Sequence, residues 1–120
     1  MPTSDIYLGN PNLKKANTTQ EFTEDHVKEF LKCKDDPVYF TENHIKIVNV
    51  DEGLVSFDMY KFQKKLLKNF HKHRFNICKM PRQTGKSTTV VSYLLHYAIF
   101  NDNVNIGILA NKAATARDLL

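Results

Sequence analysis

The run 80-MPRQTGKSTT-89 constrains this chain more than any other stretch of it. Its second half carries the residues that a phosphate-holding loop needs. Gly85 lets the backbone pass close to an anion where a side chain would collide. Lys86 brings a mobile positive charge to β- and γ-phosphates, Ser87 a hydroxyl suited to Mg²⁺, and Thr88 stands where an α-phosphate would lie. Backbone amides at a helix start, aided by the helix dipole, complete such a cradle. The loop must therefore leave a strand and enter a helix. Residues 75-FNICKM-80 alternate apolar and polar, as a short strand does. Residues 86–100 read as a helix whose apolar positions run nearly all round it, which predicts burial between layers.

The first half of the loop is unusual. Met80 stands where such loops ordinarily open with glycine, and Gln83 and Thr84 carry side chains where glycines often sit. Pro81 fixes its own backbone and biases Met80 to an extended conformation, which can end the strand and begin the turn without glycine. A chance Gly-Lys-Ser in a basic turn is the plainer reading. Against it stand the flanking strand and helix, and the Ser-Thr-Thr run that offers hydroxyl partners to the orphan amides of a helix start.

Upstream of the loop, the residues predict a helical region and a hairpin. In 22-FTEDHVKEFLKCK-34, Thr23 is a good N-cap, Glu24 and Asp25 suit the first turn, and Phe22 with Val27 could staple the entry. Asp36 followed by Pro37 starts a second short helix through 44. Ile45, Ile47 and Val48, then a D-E-G turn, then Leu54, Val55 and Phe57 read as a β-hairpin. Phe62, Leu66 and Phe70 place one apolar face on a helix over 60–73, with lysines opposite. Beyond the loop helix, 104-VNIGILA-110 reads as a second strand, and 111-NKAATARDLL-120 as a helix capped by Asn111. Residues 1–20 show no periodicity and read as an irregular leader. The expected organisation is thus 1–20 leader, 21–57 helices and hairpin, and 58–120 the beginning of a phosphate-loop domain. The fold class expected is α/β, an incomplete P-loop NTPase (RecA/helicase-like) parallel sheet preceded by a small helical and β-hairpin region. Two parallel strands do not make a doubly covered sheet. The chain is therefore expected to be part of a longer protein; a small protein that self-associates is the other reading.

Composition narrows the class. Hydrophobic residues at 42% and charged residues at 25%, with four Gly and four Pro, fit a folded domain rather than a disordered one. The start of the chain has neither a basic segment nor an apolar run, so no secretory leader is expected. The longest apolar stretch, 90–100, is broken by Ser92 and His96 and is too short for a membrane span. Cys33 and Cys78 follow no metal-ligand spacing and are expected to be reduced thiols. The basic residues giving the net charge of +4 are scattered, which permits a polyanionic partner without requiring one. The 71-HKHR-74 cluster reads as a basic helix end rather than a metal site.

A loop of the form R-Q-x-G-K-S, preceded by an apolar residue instead of glycine, resembles the large terminase subunit of tailed double-stranded DNA phages, most closely the contractile-tailed type. The likeness covers about residues 8–120 and runs through 8-LGNPNLKKAN-17, 32-KCKDDPVYFTEN-43, 71-HKHRFNICKMPRQTGKSTTVV-91 and 106-IGILANKAATARDLL-120, in the family's order. The resemblance implies the N-terminal ATPase region of a motor that pumps viral DNA into a procapsid, with a nuclease domain elsewhere in the whole protein. It implies ATP and Mg²⁺ as cofactors and double-stranded viral DNA, the portal protein and the small terminase subunit as partners. It also implies a phage-encoded protein of the host cytoplasm, neither secreted nor in a membrane. The nucleotide-binding residues it implies are Phe62, Gln63, Pro81, Arg82, Gln83, Thr84, Gly85, Lys86, Ser87 and Thr88. Arg82 and Lys86 are the catalytic pair and Ser87 the metal ligand. Arg82 falls on the family's loop arginine, either a finger contributed in cis or a fixed phosphate clamp.

Phe62-Gln63, about twenty residues ahead of Gly85, resembles the adenine motif shared by terminases and superfamily-two helicases. An aromatic ring can stack on the base while the Gln amide serves its N6 and N7 edge. Phe62 also shares the register of Leu66 and Phe70, so a core position is the alternative; Tyr60 is a rival stacking ring. Lys112 and Arg117 lie where relatives approach DNA, though two basic residues on a helix are usually solvated. After Lys86 the only acids are Asp102 and Asp118, and no apolar strand ends in the Asp-Glu pair that would activate water. These residues are therefore expected to bind nucleotide without turning it over. A helicase-like translocase and a non-catalytic nucleotide-binding fragment remain as alternative readings.

Overall fold

The computed structural model describes residues 6–120, the side chains of Pro11 and Asn12 excepted. Residues 1–5 of the expected leader lie outside the described residues. The rest of the leader is not wholly irregular. Ile6–Tyr7 (β1) and Asn10–Lys14 (β2) pair antiparallel around Leu8 and Gly9, both at positive φ (49° and 75°). Two left-handed residues in succession suit a tight hairpin. Leucine rarely takes that conformation, so the turn is not legible at Leu8.

Helix α1, Glu24–Asp35, begins as its cap predicts. The Thr23 hydroxyl accepts from the His26 amide, and His26 Nδ1 accepts from the Thr23 amide in return. Phe22 sets its ring edge-on to His26. Asp36 ends α1 and caps α2, Pro37–His44, where its Oδ1 accepts from the amides of Val38 and Tyr39 at 2.9 and 3.2 Å. One residue thus serves two helices and fixes the bend between them.

Strands β3, Lys46–Asn49, and β4, Gly53–Ser56, form the expected antiparallel hairpin. Asn49 Oδ1 accepts from the Asp51 and Glu52 amides in its turn, and Gly53 takes φ 75°. Helix α3, Lys61–Lys72, follows, and Lys64 pairs with Glu42 to tie it to α2. The core lies where α2, β4 and α3 meet. Val38, Phe57, Met59 and Leu67 are buried there, with Ile45, Ile47, Phe70 and Tyr93 packed around them. Leu67, completely buried, is its centre.

Helix α4, Lys86–Phe100, packs on α2 and α3. Its buried stripe is polar: Thr89, Ser92 and His96. Each polar atom is satisfied. Thr89 and Ser92 hydroxyls donate to the carbonyls of Gly85 and Thr88, and His96 Nε2 bonds the Cys33 carbonyl at 2.8 Å. Around His96 lie the rings of Phe40 and Phe100, at 5.3 and 4.7 Å between centroids. Leu95, Tyr97 and Ile99 on the other side are exposed, so α4 is covered on one side rather than between two layers.

Residues 75–80 and 104–110, read from sequence as parallel strands, join no ladder; the sheets among the described residues are two antiparallel pairs. Both segments nevertheless line one cavity with Tyr93, Leu94 and Tyr97 of α4. Ile77 and Leu109 are fully exposed. A buried parallel strand needs neighbours on its edges and cover on its faces, and these segments have neither here. Helix α5, Ala113–Asp118, starts from Lys112 without a side-chain cap, so Asn111 does not cap it. Among the described residues no helix is long and apolar enough to cross a membrane.

Candidate phosphate-binding loop

Gly85 is the N-cap of α4 at φ 73°, ψ 18°, and Gln83 is also left-handed at φ 60°. A left-handed residue followed by the right-handed Lys86 turns consecutive amides toward one concavity, the backbone geometry of anion nests. The first intrahelical bond runs from the Thr89 amide to the Gly85 carbonyl at 3.0 Å. The amides of Lys86, Ser87 and Thr88 precede it and belong to the unpaired donors of a helix start. Within the loop, Thr84 Oγ1 donates to the Pro81 carbonyl at 3.1 Å and closes the turn that glycine would otherwise make.

Gln63 braces this loop from the first turn of α3. Its side chain is 98% removed from solvent, a position that requires partners. Oε1 accepts from the Tyr60 amide at 2.8 Å, and Nε2 reaches the Thr84 carbonyl at 3.5 Å. A Cβ at position 85 would stand 2.5 Å from Gln63 Nε2. The φ at this position favours glycine, and an added Cβ would also displace the end of the Gln63 side chain.

The two readings of Phe62 separate here. Phe62 is 42% exposed and outside the core, whose α3 member is Leu67. Its ring stacks on Tyr60, centroids 5.7 Å apart and planes within 10°. Both rings, Gln63, Gln83, Thr84 and Gly85 line one cavity of about 430 Å³. Thr88 reaches its edge, and Ile47 and Phe57 contribute apolar wall. A volume of this size is within the range of small-molecule sites.

The remaining loop residues point elsewhere. Pro81, Arg82, Lys86 and Ser87 are exposed. Among the described residues, neither the Arg82 guanidinium nor the Lys86 ammonium has an acidic partner. Ser87 and Thr88 border a second cavity, of about 490 Å³, shared with Lys46, Ile47 and Asp118. The structure thus gathers Phe62, Gln63, Gln83, Thr84, Gly85 and Thr88 round one space. Arg82, Lys86 and Ser87 stand on the open side of the same loop.

One group of residues escaped the sequence reading. Glu29 and Cys33, one turn apart on α1, meet His44 at the end of α2. The His44 hydrogen bond, and after it that of Tyr39, holds the Glu29 carboxyl below its usual range. Burial, followed by the charge of Glu29, pushes the Cys33 thiol up. The i, i+4 spacing of Glu29 and Cys33 was visible in the sequence, but the third member depends on the angle between two helices. No protein-family model matches the chain.

Proposed function

We propose that the chain is the ATP-binding N-terminal part of a phage terminase large subunit of the contractile-tailed type. Its complete form would use ATP hydrolysis to translocate viral DNA into the procapsid. The observation carrying this reading is that Gly85, Gln63 and the Tyr60–Phe62 stack share one cavity at the N-terminus of α4. A chance Gly-Lys-Ser in a basic turn has no reason to face an aromatic pair and a braced amide twenty residues upstream.

In this reading Tyr60 and Phe62 offer a face for the adenine, and Gln63 holds the loop, exchanging its long contact to the Thr84 carbonyl for the base edge when nucleotide enters. The amides of Lys86, Ser87 and Thr88 bind phosphate oxygens, with Lys86 and Arg82 supplying charge. Charge-assisted bonds of this kind contribute about 1.5–3 kcal/mol each. Ser87 is the residue assigned to Mg²⁺. The expected fold of the whole domain is the RecA-like parallel sheet, begun by segments 75–80 and 104–110. Double-stranded viral DNA, the portal protein, the small terminase subunit and the host cytoplasm belong to the same proposal.

Calorimetric titration of the chain with ATP and Mg²⁺ tests it. Binding should occur at one site and weaken at least about tenfold in Lys86→Ala, which corresponds to about 1.4 kcal/mol. Equal affinity in the two proteins would remove the reading.

A further inference from the structure

We propose that Glu29, Cys33 and His44 form a site for a zinc-type transition-metal ion at the junction of α1 and α2. The three donor atoms lie within 4.8 Å of one another. His44 Nε2 is 3.0 Å from Glu29 Oε1, and Cys33 Sγ is 3.8 Å from the same oxygen. Tetrahedral zinc has bonds of about 2.0–2.3 Å, which sets donor-to-donor edges of about 3.3–3.8 Å. The two spacings to the Glu29 oxygen lie within about 0.3 Å of that range and the third is at most 4.8 Å, so small side-chain movements would bring the three donors round one ion.

The frame behind the donors is rigid. Glu29 and Cys33 sit one helical turn apart, on one face of α1. His44 closes α2, whose direction is set by Asp36 capping both helices. The Cys33 backbone is held from behind by the His96 ring. Tyr39 donates its hydroxyl to both Glu29 oxygens at 3.0 Å, an outer contact of the kind that orients metal-binding carboxylates. The His44 and Glu29 side chains are 44% and 42% exposed, which leaves an entry path and room for water as a fourth ligand.

Donor chemistry selects the ion. A thiolate with an imidazole and a carboxylate suits Zn²⁺ or Co²⁺, whereas Mg²⁺ and Ca²⁺ demand an all-oxygen shell. The site is therefore chemically separate from the Mg²⁺ assigned to Ser87. Binding breaks the His44–Glu29 hydrogen bond: the neutral imidazole shifts its Nε2 proton to Nδ1 so that Nε2 can bond the ion, while the Cys33 thiol loses its proton to solvent and the sulfur bonds the ion, one proton being released in all.

Cobalt serves as the probe, added to the reduced full chain in a Cys78→Ser background so that a single thiol reports. The expected result is a thiolate-to-cobalt charge-transfer band with tetrahedral d–d bands, saturating at one equivalent and displaced by Zn²⁺. Zinc should raise the melting temperature in a concentration-dependent way, and Mg²⁺ should not. Cys33→Ser should abolish the band, and His44→Gln, at an exposed position, should weaken zinc binding at least about tenfold while leaving the far-UV spectrum unchanged. Tyr39→Phe should keep the band and bind about 10–100-fold more weakly. Absence of the thiolate band, or unchanged zinc affinity in a folded His44→Gln protein, would overturn the site and leave a hydrogen-bonded triad only.

Discussion

A methyl group at position 85 meets two obstacles at once. The backbone there is left-handed, which costs an L-residue about 1–2 kcal/mol. The new Cβ would also crowd the Gln63 amide, which is fixed between the Tyr60 amide and the Thr84 carbonyl. Gly85→Ala should therefore destabilise the chain by about 2–3 kcal/mol in urea unfolding. In a Gln63→Ala background the second obstacle is gone, and the same substitution should cost about 1 kcal/mol less. Equal costs in the two backgrounds would show that Gln63 does not press on the loop. The need for glycine could be read from the sequence. The identity of the neighbour enforcing it could not, because Gln63 and Gly85 are brought together only by the packing of α3 on α4.

At the scale of the elements, α4 holds the helical layer together through a polar stripe. His96 is the key residue: it bonds the Cys33 carbonyl and packs against Phe40 and Phe100. Burial pushes its imidazole below the usual histidine range, so it serves as a neutral ring. His96→Ala removes both packing and a buried hydrogen bond and should cost about 2–4 kcal/mol, measured by urea unfolding. A loss below about 0.5 kcal/mol, the level of an ordinary surface change, would contradict this role. Helices were the legible part of the fold because their start signals are local. Thr23 caps α1, and Asp36 with Pro37 opens α2, as their chemistry requires. The burial pattern of α4 was not legible. Its apolar side chains suggested burial all round, yet Thr89, Ser92 and His96 lie inward, where carbonyls satisfy their polar atoms. Among the strands, the β3–β4 hairpin was legible, whereas residues 75–80 and 104–110, also read as strands, join no ladder among the described residues.

The molecule as a whole places a braced loop, an aromatic stack and two cations without an acidic partner among the described residues at one end of α4. Phe62 was ambiguous in the sequence because its register matched the apolar face of α3. Its exposure beside Tyr60 follows from Leu67 taking the core position instead. Under the proposed reading these residues are expected to bind nucleotide, and whether they hydrolyse it is open to direct test. Asp102 and Asp118 are the only acids after Lys86 in this sequence; neither stands on a strand, and Asp118 borders the cavity lined by Ser87 and Thr88. A phosphate-release assay on this chain should show no hydrolysis that depends on Lys86; such hydrolysis would mean that another group supplies the base. The central claim is nucleotide binding at residues 60–88, and amide chemical-shift mapping tests it most directly. Adding ATP with Mg²⁺ should move the amides of Gly85, Lys86, Ser87 and Thr88 most, with a second group at Tyr60, Phe62 and Gln63, and Lys86→Ala should suppress both. Shifts confined to other parts of the chain, or none at millimolar ATP, would contradict it.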